Sequence, residues 1–175
     1  LLFRGLTIGK KRTIRVWIMK VNKKYNCLFI GNAIVDVVSE VSFDFLEKQK
    51  IDVGSWRPVS INEINELQEN MSNIIIASGG SAANSAVGFS LLGGRSAFIG
   101  RVKSDDFGSL YINDLKEANV DFISNSVDTG NETGRCLVYV SPDAQRSMRT
   151  YLGAASNLSP ENLDINAFEL SLIHI

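Results

Sequence analysis

Histidine is nearly absent from the chain: its 175 residues hold one, His174, beside the C-terminal Ile175. Ser-His-Asp, Cys-His and HExxH chemistries are therefore excluded unless the chain end folds back into a site. Cysteine is almost as scarce. Cys27 and Cys136 stand in separate apolar stretches, without the close spacing of a zinc site or a CxxC pair, so buried reduced thiols of a cytoplasmic protein are expected. No Pro-rich linker, low-complexity tract or internal repeat divides the sequence.

Acidic residues are missing from the first eighteen positions, which carry Arg4, Lys10, Lys11, Arg12 and Arg15. Residues 19–175 consequently hold 13 basic side chains against 19 acidic ones, although the formal net charge of the whole chain is only −1. A body that acidic binds nucleic acid poorly, and no nucleic-acid partner is expected. Charge disappears altogether between residues 73 and 94, a length that could span a bilayer. The stretch contains five Gly, four Ser and two Asn, and its Gly pair would break a helix in the middle, so no membrane span and no membrane partner are expected. At 45% hydrophobic and 21% charged, the remaining composition is that of an ordinary globular domain.

The chain opens on Leu rather than Met. Met19 begins MKVNKKYNCLFIGN, a short basic lead before an apolar strand, and is the expected start, which makes residues 1–18 a non-native leader. The alternative is part of an Arg-rich, acid-free organelle presequence. Residues 170–175 read LSLIHI, which the codons CTG TCT CTT ATA CAC ATC would encode, a string similar to the end of a transposase-based sequencing adapter. They are expected to be an adapter-derived tail, the alternative being a buried strand that ends in an exposed His. The domain proper is expected over residues 19–169.

Between these ends strands and helices alternate. CLFIGNAIVDVV (27–38) predicts a buried strand running into a functional turn at Gly31 and Asn32. Ser60 and Glu63 form a capping box ahead of the apolar stripe Ile61, Ile64, Leu67 and Met71, which predicts an amphipathic helix. NIIIAS (73–78) reads as a short strand, 82–92 as a helix of small and apolar residues, and 95–102 as another strand. Asp105 and Asp106 favour a helix start, with Phe107, Leu110, Tyr111, Leu115 and Ala118 on its apolar face. Segments 136–141 and 147–153 flank the turn PDAQ as an antiparallel hairpin, and SPENLD (159–164) opens a further helix. This order implies an α/β fold: a mainly parallel sheet flanked by helices, with an accessory β element.

Residues 78–88, SGGSAANSAVG, carry the first functional signal. A strand, then Gly79 and Gly80, then the first turn of a helix brings a ligand against bare backbone N–H groups. Asn84 offers a donor and an acceptor, matching a hydroxyl that both donates and accepts, as in a sugar. The stretch is neither a Walker A loop nor GxGxxG, and a tight turn with Asn84 capping locally is the alternative. Asp36, in GNAIVD, is read as a carboxylate at a strand end, able to accept from two neighbouring hydroxyls at once. Taken alone, such an Asp is more often a turn or cap residue.

Four blocks, GNAIVDV, SGGSAANSAVGFSLLGGRSAFIGRV, TGRCLVYVSPDAQRSMRTYLGAA and NLSPENLD, resemble in this order the PfkB/ribokinase family of carbohydrate and nucleoside kinases. The resemblance covers about residues 25–169 and is closest to bacterial adenosine kinase-like and sugar-kinase members. Gly79, Gly80, Ala82, Asn84, Ala86 and Gly93 meet the family's first signature, whose closing Gly is Lys103 here. The resemblance implies a ribokinase-like fold with a small antiparallel β lid, built from the strands after Asp36, around 73–78 and within 121–153. It implies that Asp36, Gly79, Gly80 and Asn84, with Asn32 beside them, hold the acceptor's hydroxyls, and that ATP and Mg2+ are the cofactors. A small-molecule sugar or nucleoside is the implied partner; the lid serves as a homodimer interface in some family members and as a simple cover in others, and both remain open here. Arg135 and Arg149, on lid strands, are expected to be solvated.

The family's D-T-x-G-A-G-D loop, whose final Asp is the catalytic base, has no counterpart in these residues, and its N-x-x-E motif does not appear in an equivalent later position. The resemblance therefore implies the acceptor-binding half of an ATP-dependent kinase acting on a hydroxymethyl group of a nucleoside (adenosine) or sugar. The C-terminal half is expected to be absent, no catalytic residue is assigned, and the chain itself should not turn over. Two other readings stand beside it: a non-catalytic sugar- or nucleoside-binding regulatory module, and a Rossmann-like domain of unrelated function. A sheet cut halfway should leave a bare edge and poor solubility.

Overall fold

The computed structural model describes residues 2–7, 13–18 and 23–175, the first two segments by their backbone alone. Those segments are β1 (Leu2–Thr7) and β2 (Thr13–Ile18), which pair antiparallel from Leu2↔Ile18 to Thr7↔Thr13. The expected start, Met19, lies outside the described residues.

In chain order there follow β3 (Tyr25–Ile30), β4 (Ile34–Glu40), α1 (Phe43–Lys48), β5 (Trp56–Pro58), α2 (Ile61–Glu69), β6 (Ile75–Gly79) and α3 (Ser81–Leu91). Then come β7 (Ser96–Ile99), α4 (Asp106–Glu117), β8 (Val120–Phe122), β9 (Gly134–Val140), β10 (Arg146–Tyr151), α5 (Ile165–Glu169) and β11 (Ser171–His174). The segment predicted as a helix from SPENLD begins as a 3-10 turn, Pro160–Asn162, before α5.

Two sheets organise these elements. One is parallel throughout, in the order β11-β3-β7-β8. The other has the order β5-β10-β9-β4-β6. It contains the predicted hairpin β9–β10 and an antiparallel β4–β6 pair, but β4 runs parallel to β9 and β5 parallel to β10. The accessory sheet expected to be antiparallel is thus mixed.

The stretch 27–38 does not form one strand. It leaves the parallel sheet after Ile30 and enters the mixed sheet at Ile34, so the Gly31–Asn32 turn joins the two layers. Gly31 is fixed there by packing: a Cβ on it would lie 2.8 Å from the Cβ of Ala82 at the start of α3.

Helices cover the parallel sheet on both faces. Ala83 and Ala86 of α3 and Tyr111 and Leu115 of α4 bury Cys27, Phe29 and Phe98 on one side, while Ala167 of α5 closes over Tyr25, Leu28, Ala97 and Ile99 on the other. The small residues of α3 let the helix lie close to the strands. Leu46 of α1 and Ile64 of α2 bury Val37, Leu137 and Tyr139 on one face of the mixed sheet. Each such fully buried large side chain contributes roughly 1.5–3 kcal/mol.

Helix starts follow the predicted chemistry in part: the Ser60 and Asp105 caps form, but among the described residues the reciprocal half of the Ser60–Glu63 capping box does not. Ser60 Oγ accepts from the Glu63 N–H, while the Glu63 carboxylate pairs with Arg57. Asp105 caps α4 by accepting from the Gly108 N–H at 2.8 Å, and also accepts from the Thr133 N–H at 2.9 Å and the Thr133 hydroxyl at 2.6 Å. One carboxylate thereby fixes a helix start and the entry to β9. Asp105→Ala is expected to cost about 3 kcal/mol in urea denaturation, a lost cap plus charge-assisted bonds; a loss below about 1 kcal/mol would show that water replaces these contacts.

At the far edge of the parallel sheet, β11 pairs only with β3 among the described residues, and Leu172, Ile173, His174 and Ile175 are exposed.

Candidate functional site

Asp36 is not at a strand end. It is the third residue of β4, opposite Ala77 of β6 and Cys136 of β9. Strand alternation turns it away from α1 and α2, onto the face that carries Ile34, Val38, Cys136, Val138 and Met148. Its carboxylate is half-buried, and among the described residues it accepts no hydrogen bond and joins no ion pair.

The two glycines are explained by this carboxylate and by the turn after β3. A Cβ on Gly79 would stand 2.6 Å from Asp36 Oδ1 and closer still to Cγ. Gly80 has φ +92°, and a Cβ on it would stand 2.6 Å from the Asn32 carbonyl oxygen. Gly80 must therefore be glycine for the protein's own packing, whereas the space above Gly79 is taken by a side chain, before any ligand arrives. Asp36, Gly79, Gly80 and Asn32 are brought together, with Asn32 exposed.

Asn84 lies in the first turn of α3, where its backbone N–H donates to the Gly80 carbonyl at 2.9 Å. Its side chain is exposed and makes no hydrogen bond among the described residues, so local capping does not account for it. Gly80, the N-cap, offers no side chain, and among the described residues no side chain caps the first-turn N–H groups of α3.

The electrostatics of the site centre on Asp36. Burial pushes its carboxyl above the usual carboxylate range, and the Arg146 charge partly opposes this. Tyr111 is raised by burial first and then by the Asp36 charge. Burial likewise raises the Cys136 thiol, with the Thr150 hydroxyl opposing and Asp36 adding to the rise. A carboxylate that its own protein leaves without donors can accept two hydroxyl hydrogens from outside.

Arg146, Cys136 and Tyr111 escaped the sequence reading as neighbours of Asp36. The hairpin register carried a signal for the first: Arg146, Met148 and Thr150 lie opposite Val140, Val138 and Cys136, on the Asp36 face. Arg135 and Arg149, expected to be solvated, are each only 4% exposed and point to the opposite face. Arg135 donates to Gln68 Oε1 and Asn65 Oδ1 of α2 and pairs with Glu132. Arg149 donates to Ser55 Oγ and the Met148 carbonyl. Hydrogen bonds from the covering helix and loop make their burial tolerable.

Among the described residues no helix is long and apolar enough to cross a membrane, and no group of three His, Cys, Asp or Glu converges as a metal site.

Comparison with known proteins agrees with this architecture. The family described as pfkB family carbohydrate kinase matches residues 35–174. The chain is 36% identical over 90 residues to a probable fructokinase-6, chloroplastic, of Arabidopsis thaliana, covering 51% of this chain and 23% of that protein. The crystal structure of adenosine kinase from Sinorhizobium meliloti superposes with a TM-score of 0.80 at 36% identity, over 86% of this chain and 46% of the other. A probable sugar kinase protein from Rhizobium etli CFN 42 also gives 0.80, at 31% identity, over 87% and 46%. The chain spans less than half the length of each of these relatives. Four sequence blocks, a parallel sheet joined to a mixed sheet, and a family match over most of the chain converge: this protein belongs to the pfkB family of carbohydrate kinases.

Proposed function

We propose that this chain is the acceptor-binding half of an ATP-dependent kinase that transfers the γ-phosphate to a hydroxymethyl group of a nucleoside, adenosine foremost, or of a sugar. One observation carries the reading: the half-buried Asp36 carboxylate, without a donor among the described residues, lies over the bare Cα of Gly79 beside the Gly80–Asn32 contact. Two vicinal hydroxyls of a ribose or hexose are the neutral donors that such a carboxylate selects. Asn84 and Asn32, both exposed beside this turn, supply further hydrogen bonds to the acceptor.

The same proposal assigns the nucleotide, its Mg2+ and the catalytic base to the family's D-T-x-G-A-G-D loop, for which this sequence has no counterpart. The apolar face around Asp36, with Ile75 69% and Trp56 60% exposed at its margins, serves as the lid over the acceptor or as the contact of a homodimer. A cytoplasmic location belongs to the same proposal.

The test is calorimetric titration of the chain with adenosine, ribose and fructose, followed by an ATP-coupled assay. Binding of at least one acceptor is expected, lost in Asp36→Asn, with no turnover. Turnover by the chain alone, or binding indifferent to Asp36, defeats the reading.

A further inference from the structure

Two hydrogen bonds from α4 hold the backbone of the Gly79–Gly80 turn from behind. The Ser78 N–H donates to Asp114 Oδ2 at 2.7 Å, and the Tyr111 hydroxyl donates to the Gly79 carbonyl at 3.3 Å. β6 is the edge of the mixed sheet, pairing only with β4 among the described residues. Its free side carries unpaired backbone groups, and these are what α4 engages.

Tyr111 is fully buried, its ring packed at 6.0 Å against Phe98 of the parallel sheet and at 6.1 Å against Phe122. Its hydroxyl therefore has little freedom, and it is fixed to the parallel-sheet body rather than to the mixed sheet whose carbonyl it meets. Asp114 sits one helical turn further along α4, on the same side of the helix. Together the two residues tie the end of a mixed-sheet strand to the body, directly under the glycines that receive Asp36.

We propose that Tyr111 and Asp114 are positioning residues of the acceptor site: they set the Gly79–Gly80 turn against Asp36 and keep the mixed sheet in register with the body while the acceptor is held. This rests on the acceptor-site reading above. Without the clamp, the turn drifts from the Asp36 carboxylate, and the two hydroxyl acceptors no longer face one ligand together. The bland account of the same contacts is that Asp114 blocks an exposed strand edge and Tyr111 fills the core.

The two accounts separate in the full chain carrying Tyr111→Phe or Asp114→Ala, with Glu117→Ala, an exposed change on the same helix, as control. The Kd for whichever of adenosine, ribose or fructose the wild type binds is expected to rise roughly tenfold in each variant, the effect of one hydrogen bond at a charged or buried partner. It should stay unchanged in the control. Amide exchange at Ser78 should accelerate at least about tenfold in Asp114→Ala, while Val37 on the neighbouring strand keeps its protection. Faster exchange with an unchanged Kd leaves an edge block only and overturns the proposal, as does no change in either. If the folded wild type binds none of the three acceptors, the acceptor reading itself fails, and positioning of such a site fails with it; the exchange data then report only whether the clamp holds the turn. Should Tyr111→Phe fail to fold, Asp114→Ala decides alone, because it removes the acceptor of the Ser78 N–H, suits a helix and leaves the aromatic core intact.

Discussion

Gly80→Ala is expected to destabilise the chain by about 3 kcal/mol, whereas Gly79→Ala, one residue away, costs about 1 kcal/mol and instead removes acceptor binding. The difference lies in what each new methyl group meets. At Gly80 it meets the Asn32 backbone carbonyl at 2.6 Å, with φ at +92°, where an L-residue is strained; neither the carbonyl nor the dihedral can yield without moving the joint between the two sheets. At Gly79 it meets a side chain, the Asp36 carboxyl, which can rotate away. Rotation spares the fold and spoils the site.

A double-mutant cycle exposes this coupling. In an Asp36→Ala background, Gly79→Ala should become nearly neutral, because the atoms it collides with are gone. Gly80→Ala should keep its full cost in that background. Equal penalties for Gly79→Ala with and without Asp36 would mean that the carboxylate does not occupy the space above this strand. Urea denaturation of the four variants measures the cycle.

These contacts also show which parts of the protein its sequence discloses. The helix starts at Ser60 and Asp105 and the hairpin around PDAQ were legible, because each is decided within a few residues by capping or turn chemistry. The family was legible as an ordered pattern of four blocks. The split of 27–38 between two sheets was not, since period-2 hydrophobicity reports that a strand is buried and not which sheet buries it. Short β5, pairing with β10 across more than ninety residues, left no local mark. The burial of Arg135 and Arg149 was equally hidden, because their partners Asn65, Gln68 and Ser55 look like ordinary surface residues until a helix or loop is laid on the sheet. Even the glycines were recognised for a different reason from the one the structure gives. A small residue in a sequence says that something comes close, and only the fold says that the neighbour is Asp36 or Asn32.

Asp36→Asn is expected to raise stability near neutral pH while weakening acceptor binding at least about a hundredfold, the loss of two charge-assisted hydrogen bonds. The opposite signs have one cause. Burial raises the Asp36 carboxyl in the folded chain above its unfolded value, with only the exposed Arg146 offsetting it, so folding disfavours the ionised form. Below the ordinary carboxylate range both states are protonated and the charge carries no penalty. As pH rises through the raised folded-state value, the unfolded chain is already ionised, and stability is lost until the folded group ionises as well. The advantage of Asn over Asp should therefore be absent near pH 3, grow through the mildly acidic range, and level off toward neutrality. An acceptor that donates two hydroxyl hydrogens removes the same penalty, because it supplies the donors the protein withholds. Ligand should then stabilise the wild type at neutral pH and leave Asp36→Asn unmoved, in the same denaturation experiment. A variant no more stable than wild type at pH 7, or one stabilised equally by ligand, would mean that this carboxylate is a structural residue rather than the acceptor's anchor, since only a group held at a cost for binding shows both effects together.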